Sequence, residues 1–115
     1  MTKEEQRLIE KEAVETYGMD AQMRMLQEEC GELIVAVGHY LRGRNGSLAN
    51  LCEELADVRI MLEQMEIALD NPAIVEWYNY KLGRLKKRLE EHKRIIILHY
   101  YGKKKERRTN HRQSE

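Results

Sequence analysis

The sequence predicts an all-α protein with four helices. In long stretches of the 115-residue chain, apolar residues recur every three or four positions, which is the period of an amphipathic helix. Outside residues 94–101, no stretch shows the two-residue alternation of a β-strand. Turn-forming residues are grouped between the periodic segments, and the chain has a single proline. These observations favour one four-helix, bundle-like domain.

The first two helices are bounded by glycine and by polar residues. The first is predicted over about residues 3–17 and ends at Gly18, because glycine is a frequent C-terminal stop. The second is predicted from Asp20, a candidate N-cap, to Arg42. Its apolar stripe consists of Met23, Leu26, Cys30, Leu33, Val37 and Leu41.

A second turn and a third helix follow. The stretch "GRNG" at 43–46 is a turn signal, and Ser47 is a candidate N-cap for a helix that reaches about Leu69. A turn this short favours antiparallel packing of the helices on either side. The stripe of the third helix consists of Leu51, Leu55, Val58, Leu62, Met65 and Leu69.

The fourth helix is predicted after "DNP" at 70–72, with Pro72 in its first turn. Residues 94–101, "RIIILHYY", fit either a continuation of this helix or a short strand. The domain is predicted to cover residues 1–101, and residues 102–115 form a basic tail that we expect to be disordered. The apolar side of the helix consists of Tyr78, Leu82, Leu85 and Leu89.

Composition excludes several classes of protein. The 20 basic and 20 acidic residues cancel, but the tail carries a net charge of +4 and the rest about −4, which argues against a general nucleic-acid binder. Cys30 and Cys52 lack metal-site spacing and are expected to be small buried side chains. No apolar run approaches the ~20 residues of a membrane span, and no signal-peptide core is present, so we expect a cytoplasmic protein.

Two acidic clusters, "QEECGE" at 27–32 and "CEELAD" at 52–57, have matching geometry. At about 100° per residue, Glu29 and Glu32 lie on the same side of their apolar stripe as Glu54 and Asp57 do on theirs. When two helices pack antiparallel, residues displaced from the two apolar stripes in the same rotational direction lie on one face of the hairpin. The midpoint between the pairs is residue 43, inside the turn, so the pairs are expected at the same level.

Converging carboxylates repel one another unless a cation lies among them. Mg²⁺ or Mn²⁺ is the natural ligand for an all-oxygen set. A di-iron site requires Glu-x-x-His pairs, and neither Glu29 nor Glu54 has a histidine three residues on. The other interpretation is that the clusters are solvated helix faces, as most charge clusters are.

The spacing of "EECGE" (28–32) and "ELAD" (54–57) resembles the EExxE…ExxD signature of the MazG-like nucleoside triphosphate pyrophosphohydrolases. The resemblance covers roughly residues 19–90. It implies the all-α NTP pyrophosphatase fold, Mg²⁺ held by Glu29, Glu32, Glu54 and Asp57, and hydrolysis between the α- and β-phosphates. It also gives Glu28 a catalytic role, as an outer metal ligand or in orienting water.

The resemblance also concerns the fourth helix and the assembly. Basic residues there contact phosphates in the family, which implies substrate binding by Lys81, Arg84 and, more weakly, Arg88; a solvated basic face is the alternative. Relatives of this size form homodimers or homotetramers. Two other functions stay open at this point: a phosphoribosyl-ATP pyrophosphohydrolase of the same superfamily, or a non-enzymatic helical interaction module.

Overall fold

The protein is described by a computed structural model that covers residues 1–114, with side chains through residue 111. It contains four helices and, within this range, no β-strand, so the all-α prediction is confirmed. None of the helices in this range combines the length and apolar character needed to cross a membrane. The helices are α1 (Lys3–Tyr17), α2 (Met19–Leu41), α3 (Ser47–Leu69) and α4 (Ala73–Ser114).

The chain forms two compact units, Met1–Asn71 and a second that begins at Pro72. In the first unit, α3 packs against both α1 and α2. The second unit contains α4. The division falls at 71/72, and the predicted domain over residues 1–101 stays a prediction.

A capping box begins α1. The Glu5 backbone N–H donates to Thr2 Oγ1 over 3.1 Å, and the Thr2 backbone N–H donates to Glu5 Oε2 over 2.7 Å. These bonds satisfy two of the backbone donors that a helix N-terminus leaves unpaired. At the other end, Gly18 adopts φ 89° and donates its N–H to the Val14 carbonyl over 2.8 Å.

Replacing the capping threonine should weaken the first unit. We expect Thr2→Ala to lower the free energy of unfolding by about 1 kcal/mol, because the Glu5 amide loses its acceptor. Urea denaturation followed by circular dichroism measures the loss. Thr16→Ala, at an exposed position on the same helix, is the matched control. Equal losses in the two variants would contradict a capping role for Thr2.

The predicted N-caps of α2 and α3 are wrong. Gly18 and Gly46 occupy these positions, and neither makes a side-chain cap. Asp20 lies in the first turn of α2, where its negative charge is attracted to the positive end of the helix dipole. Ser47 is the first residue of α3 and is buried. The backbone has positive φ values of 89° and 73° at these two positions, which glycine adopts without the steric cost that a side chain would add.

A buried amide pair fixes the register of the α2–α3 hairpin. Gln22 Nε2 donates to Gln64 Oε1 over 2.7 Å, and both side chains are buried. The midpoint of this pair is residue 43, the same midpoint that the sequence predicts for the acidic clusters. The helices are therefore antiparallel in the predicted register.

The buried apolar side chains are few and lie mainly on α3. Among residues 1–111 they are Ala36, Val58, Met61 and Met65. The exposed side chains include several that the sequence places on apolar stripes: Leu41, Leu55, Leu62 and Leu69. Cys30 is half-buried and Cys52 is exposed, so the expectation that both are buried is wrong for Cys52; both are free thiols. Among the described residues, Val58 and Met65 are the buried members of the predicted stripes, whereas Ala36 and Met61 are buried but belong to none of them.

A charged cluster lies where α1 meets α3. Glu10 is 8% exposed, and it lines a groove of about 580 Å³ together with Arg59 and Glu63. Arg59 Nε donates to Glu63 Oε1 over 3.2 Å. Burial raises the pKa of Glu10 to about 7; a hydrogen bond to Glu63 and the charge of Glu63 add to this, and Arg59 opposes it. The hydrogen bond from Glu10 lowers the pKa of Glu63.

The helix α4 is longer than the sequence predicts. It starts at Ala73, one residue after Pro72, whose carbonyl accepts from the Glu76 N–H over 3.2 Å. Residues 94–101, for which the sequence allows either a helix or a strand, are helical. Residues 102–114, for which the sequence predicts a disordered tail, are helical as well. Lysine, arginine and glutamate are good helix formers, which accounts for the continuation. Glu115, the last residue of the predicted tail, lies outside the described range.

Candidate metal centre

Three carboxylates meet between α2 and α3. One oxygen from each of Glu29, Glu54 and Asp57 lies within 4.8 Å of the other two. Glu54 and Asp57 are three residues apart on α3 and so are neighbours on its surface. Glu29 reaches them from α2 because the hairpin register places it at the level of Asp57. All three side chains are half-buried.

Two oxygens of this cluster are shielded from water and have no partner among the described residues. They are Glu29 Oε2 and Glu54 Oε2. Desolvation is the largest effect that raises the pKa of Glu29, followed by the charges of Glu32 and Asp57. Desolvation and then the charge of Glu32 raise the pKa of Glu54. Because an unpaired buried acceptor costs free energy, a cation at this point would stabilise the fold.

The structure places the other two predicted acids at the edge of the cluster. Glu32 is exposed and stands outside the group of three, although its charge acts on both Glu29 and Glu54. Glu28 is exposed and lines a groove beside the cluster. Both side chains are therefore open to solvent and line the same groove.

That groove contains two polar residues that the sequence does not single out as functional. It has a volume of about 490 Å³, and both His39 and Asn50 are half-buried in its wall. His39 lies seven residues after Glu32, and Asn50 lies four before Glu54, so each shares a helix face with an acid of the site. The remaining lining residues are Glu28, Gly31, Glu32, Val35 and Glu54.

The predicted phosphate-binding residues lie in the second unit. Lys81, Arg84 and Arg88 are exposed on α4, and their spacing puts them near one helix face. Their part in substrate binding stays a prediction.

The donor set of the cluster fits a hard divalent cation. All three groups offer carboxylate oxygen, which Mg²⁺ and Mn²⁺ prefer. Metal–oxygen distances of about 2.1–2.5 Å put the ligands of one ion within about 4–5 Å of one another. The observed spacing, within 4.8 Å, agrees with that requirement. The two unpaired buried oxygens are also available to bind an ion.

Comparison with known proteins finds no matching family model, no matching curated protein and no matching solved structure. The geometry and chemistry of the carboxylates are therefore the basis of the function proposed below.

Proposed function

We propose that the protein is a Mg²⁺-dependent nucleoside triphosphate pyrophosphohydrolase of the MazG-like kind. It cleaves (d)NTP between the α- and β-phosphates to give the monophosphate and pyrophosphate, in nucleotide-pool cleaning or nucleotide metabolism. Mn²⁺ can take the place of Mg²⁺ at a site made only of oxygen. The observation that carries the proposal is the cluster of three carboxylates within 4.8 Å, two of them with a buried, unpaired oxygen.

Each acid has a distinct part in this proposal. Glu29, Glu54 and Asp57 hold the cation, and Glu32 supplies a fourth carboxylate from the exposed edge. When bound, the metal neutralises phosphate charge and lowers the pKa of a water molecule. Glu28, on the groove wall, orients that water or acts as an outer ligand.

The groove beside the cluster supports a substrate of nucleotide size. Its volume of about 490 Å³ falls within the roughly 300–1,000 Å³ of ordinary ligand pockets. His39 and Asn50 offer hydrogen-bonding groups to the part of the substrate that does not touch the metal. Lys81 and Arg84 are the proposed phosphate contacts, and Arg88 is a weaker candidate.

A homodimer or homotetramer is part of the proposal. The small number of buried apolar side chains and the many exposed ones support it, because a chain of this size buries little surface alone. Ile95–Leu98 and the aromatic residues Tyr100 and Tyr101 are all exposed.

The activity itself is the first test. We expect the full-length protein to release pyrophosphate and nucleoside monophosphate from at least one member of a panel of NTPs and dNTPs in the presence of Mg²⁺. For a metal-dependent reaction, we expect EDTA to lower the rate at least about 100-fold and added Mn²⁺ to restore it. Coupled detection of pyrophosphate measures the rate.

Product identity provides the control. Cleavage between the β- and γ-phosphates would yield orthophosphate and a diphosphate, and chromatography of the nucleotide distinguishes the two reactions. Failure to release pyrophosphate with either metal, across the whole panel, would exclude the proposed activity.

A further inference from the structure

Gly31 lies in the interior of α2, where glycine stabilises a helix less than alanine does. The backbone does not require glycine there, because the described glycines with positive φ are Gly18, Gly43 and Gly46. Close packing does not require it either. A Cβ built on Gly31 meets no described atom within 4 Å apart from its chain neighbours and its own helix backbone. Neither local conformation nor packing within the described chain accounts for this glycine.

The open space beside Gly31 is the groove next to the carboxylate cluster. Gly31 lines this groove of about 490 Å³, and the wall is built from α2 and α3 of the first unit alone. Gly31 is three residues after Glu28 and four before Val35, so it lies between these two wall residues on one helix face. A side chain at this position would therefore take up space in the groove.

The neighbours of Gly31 define what the groove receives. Glu54 belongs both to the groove wall and to the cluster of three carboxylates, so an occupant of the groove lies directly beside the proposed cation. Glu28 and Glu32 are exposed carboxylates on the same wall. An apolar helix packed over Gly31 would have to bury these two charges, which is costly. A nucleotide whose phosphates bind the cation brings its own charge to the metal instead.

We propose that Gly31 is a clearance residue for the substrate: the absence of a side chain lets the nucleotide lie against the backbone of α2 beside the metal. This inference rests on the proposed pyrophosphohydrolase activity and adds a residue that determines which molecules fit the groove. It also explains why α2 has a residue of low helix propensity there, since binding sites are often less stable than they could be.

Gly31→Ala separates stability from function. The methyl group favours the helix and has room, so we expect the melting temperature in EDTA to rise by about 2–5 °C. The same methyl group occupies groove space. We therefore expect KM to rise at least about 10-fold for the nucleotide that the wild type hydrolyses fastest. Calorimetric titration with Mn²⁺ alone should be unchanged, because the three carboxylates are intact.

Gly31→Leu extends the series with a larger side chain. Leucine is a good helix former, so the melting temperature should again be at least that of the wild type. Its side chain fills more of the groove, and we expect a greater loss of kcat/KM than in Gly31→Ala.

Gly38→Ala is the matched control. Gly38 lies in the interior of the same helix, seven residues after Gly31, and is not part of the groove wall. A Cβ there comes within 3.8 Å of Arg42 Nη1, the end of a flexible side chain, which is an ordinary contact. We expect a similar gain in melting temperature and an unchanged KM.

Titration with α,β-methylene nucleoside triphosphates, which resist cleavage at this bond, provides a readout without turnover. With Mn²⁺ present, we expect the wild type and Gly38→Ala to bind one of these analogues at least about 10-fold more tightly than Gly31→Ala does.

Three outcomes would overturn the proposal, and they have different meanings. Equal KM and equal affinity in Gly31→Ala and an active wild type would exclude the role of Gly31 and leave the proposed function intact. A wild type that neither binds nor cleaves any nucleotide would exclude both. A lower melting temperature of Gly31→Ala, or a change in its mass by light scattering, would show that another helix packs on Gly31.

Discussion

Glu54→Gln is expected to reduce Mg²⁺-dependent pyrophosphate release by at least about 100-fold and to leave the helical fold intact. The amide keeps the size of the side chain but removes one of the three charges within 4.8 Å of each other. In metal-free buffer the variant should be at least as stable as the wild type, because the remaining carboxylates repel each other less. Calorimetric titration with Mn²⁺ and thermal unfolding in EDTA measure the two effects.

The neighbouring residue provides the control for this substitution. Glu53 is exposed on the same helix and lies outside the cluster, so Glu53→Gln should retain metal binding and most of the activity. Similar losses in Glu53→Gln and Glu54→Gln would show that general surface charge, and not the cluster, binds the cation. Unfolding of Glu54→Gln would assign the carboxylate a structural role.

Stability should decrease as the pH rises from 5 to 8, and Glu10 should account for a large part of the decrease. The pKa of Glu10 is about 7 in the folded protein, against 4.5 for an ordinary glutamate. Between these values the folded state binds more protons than the unfolded state, so the free energy of unfolding falls with rising pH. The stabilising contribution of protonated Glu10 is complete below pH 4.5 and is lost as the pH rises through 7. The charges that face Glu10 are Glu63, Arg59 and Glu66, all on α3.

Glu10→Gln should remove most of this dependence, because the amide donates to Glu63 at every pH. Relative to wild type, we expect stabilisation on the order of 2 kcal/mol at pH 8 and little change at pH 5. Urea denaturation in EDTA at four pH values measures it. Glu12→Gln, at an exposed site on the same helix, should follow the wild-type curve. An unchanged slope in Glu10→Gln would show that other groups govern the pH dependence.

Glu63 acts in the opposite direction and in a different pH range. Its pKa is lowered from 4.5, so its contribution is present at neutral pH and is lost only as the solution becomes more acidic. The pKa values of Glu29 and Glu54 are raised, as that of Glu10 is, and these two carboxylates remain in Glu10→Gln. Metal-free buffer is therefore needed throughout, because a bound cation would hold both as carboxylates.

The helices of the first unit could be predicted from the sequence because their boundaries have local causes. Gly18 and the turn at 43–46 interrupt the helical period, and the observed bounds of α1, α2 and α3 lie within one residue of the predicted ones. The meeting of Glu29 with Glu54 and Asp57 also follows from the sequence, because angular position and turn length fix it once the helices are antiparallel.

Other features of the site and the core could not be predicted, because they depend on which residues of different helices come into contact. The periodicity of a single helix does not show this. Glu10 belongs to a polar helix, and only the approach of α3 makes it buried. His39 and Asn50 come from two helices and share a groove only because of the hairpin register. Leu55, Leu62 and Leu69 belong to the apolar stripe predicted for α3 but are exposed, because periodicity does not show which part of a stripe a neighbouring helix covers.

The Gln22–Gln64 hydrogen bond has a consequence for how the hairpin tolerates changes in length. Gln22 lies seven residues before Glu29, and Gln64 lies seven residues after Asp57, so the amide pair and the carboxylates are two helical turns apart on both helices. An insertion between Arg42 and Gly46 lengthens the turn and leaves both seven-residue segments unchanged. One residue inserted between Gln22 and Glu29 instead rotates the carboxylate by about 100° relative to the amide. The loop can therefore vary in length, whereas these two helical segments must keep their residue count for the acids to meet.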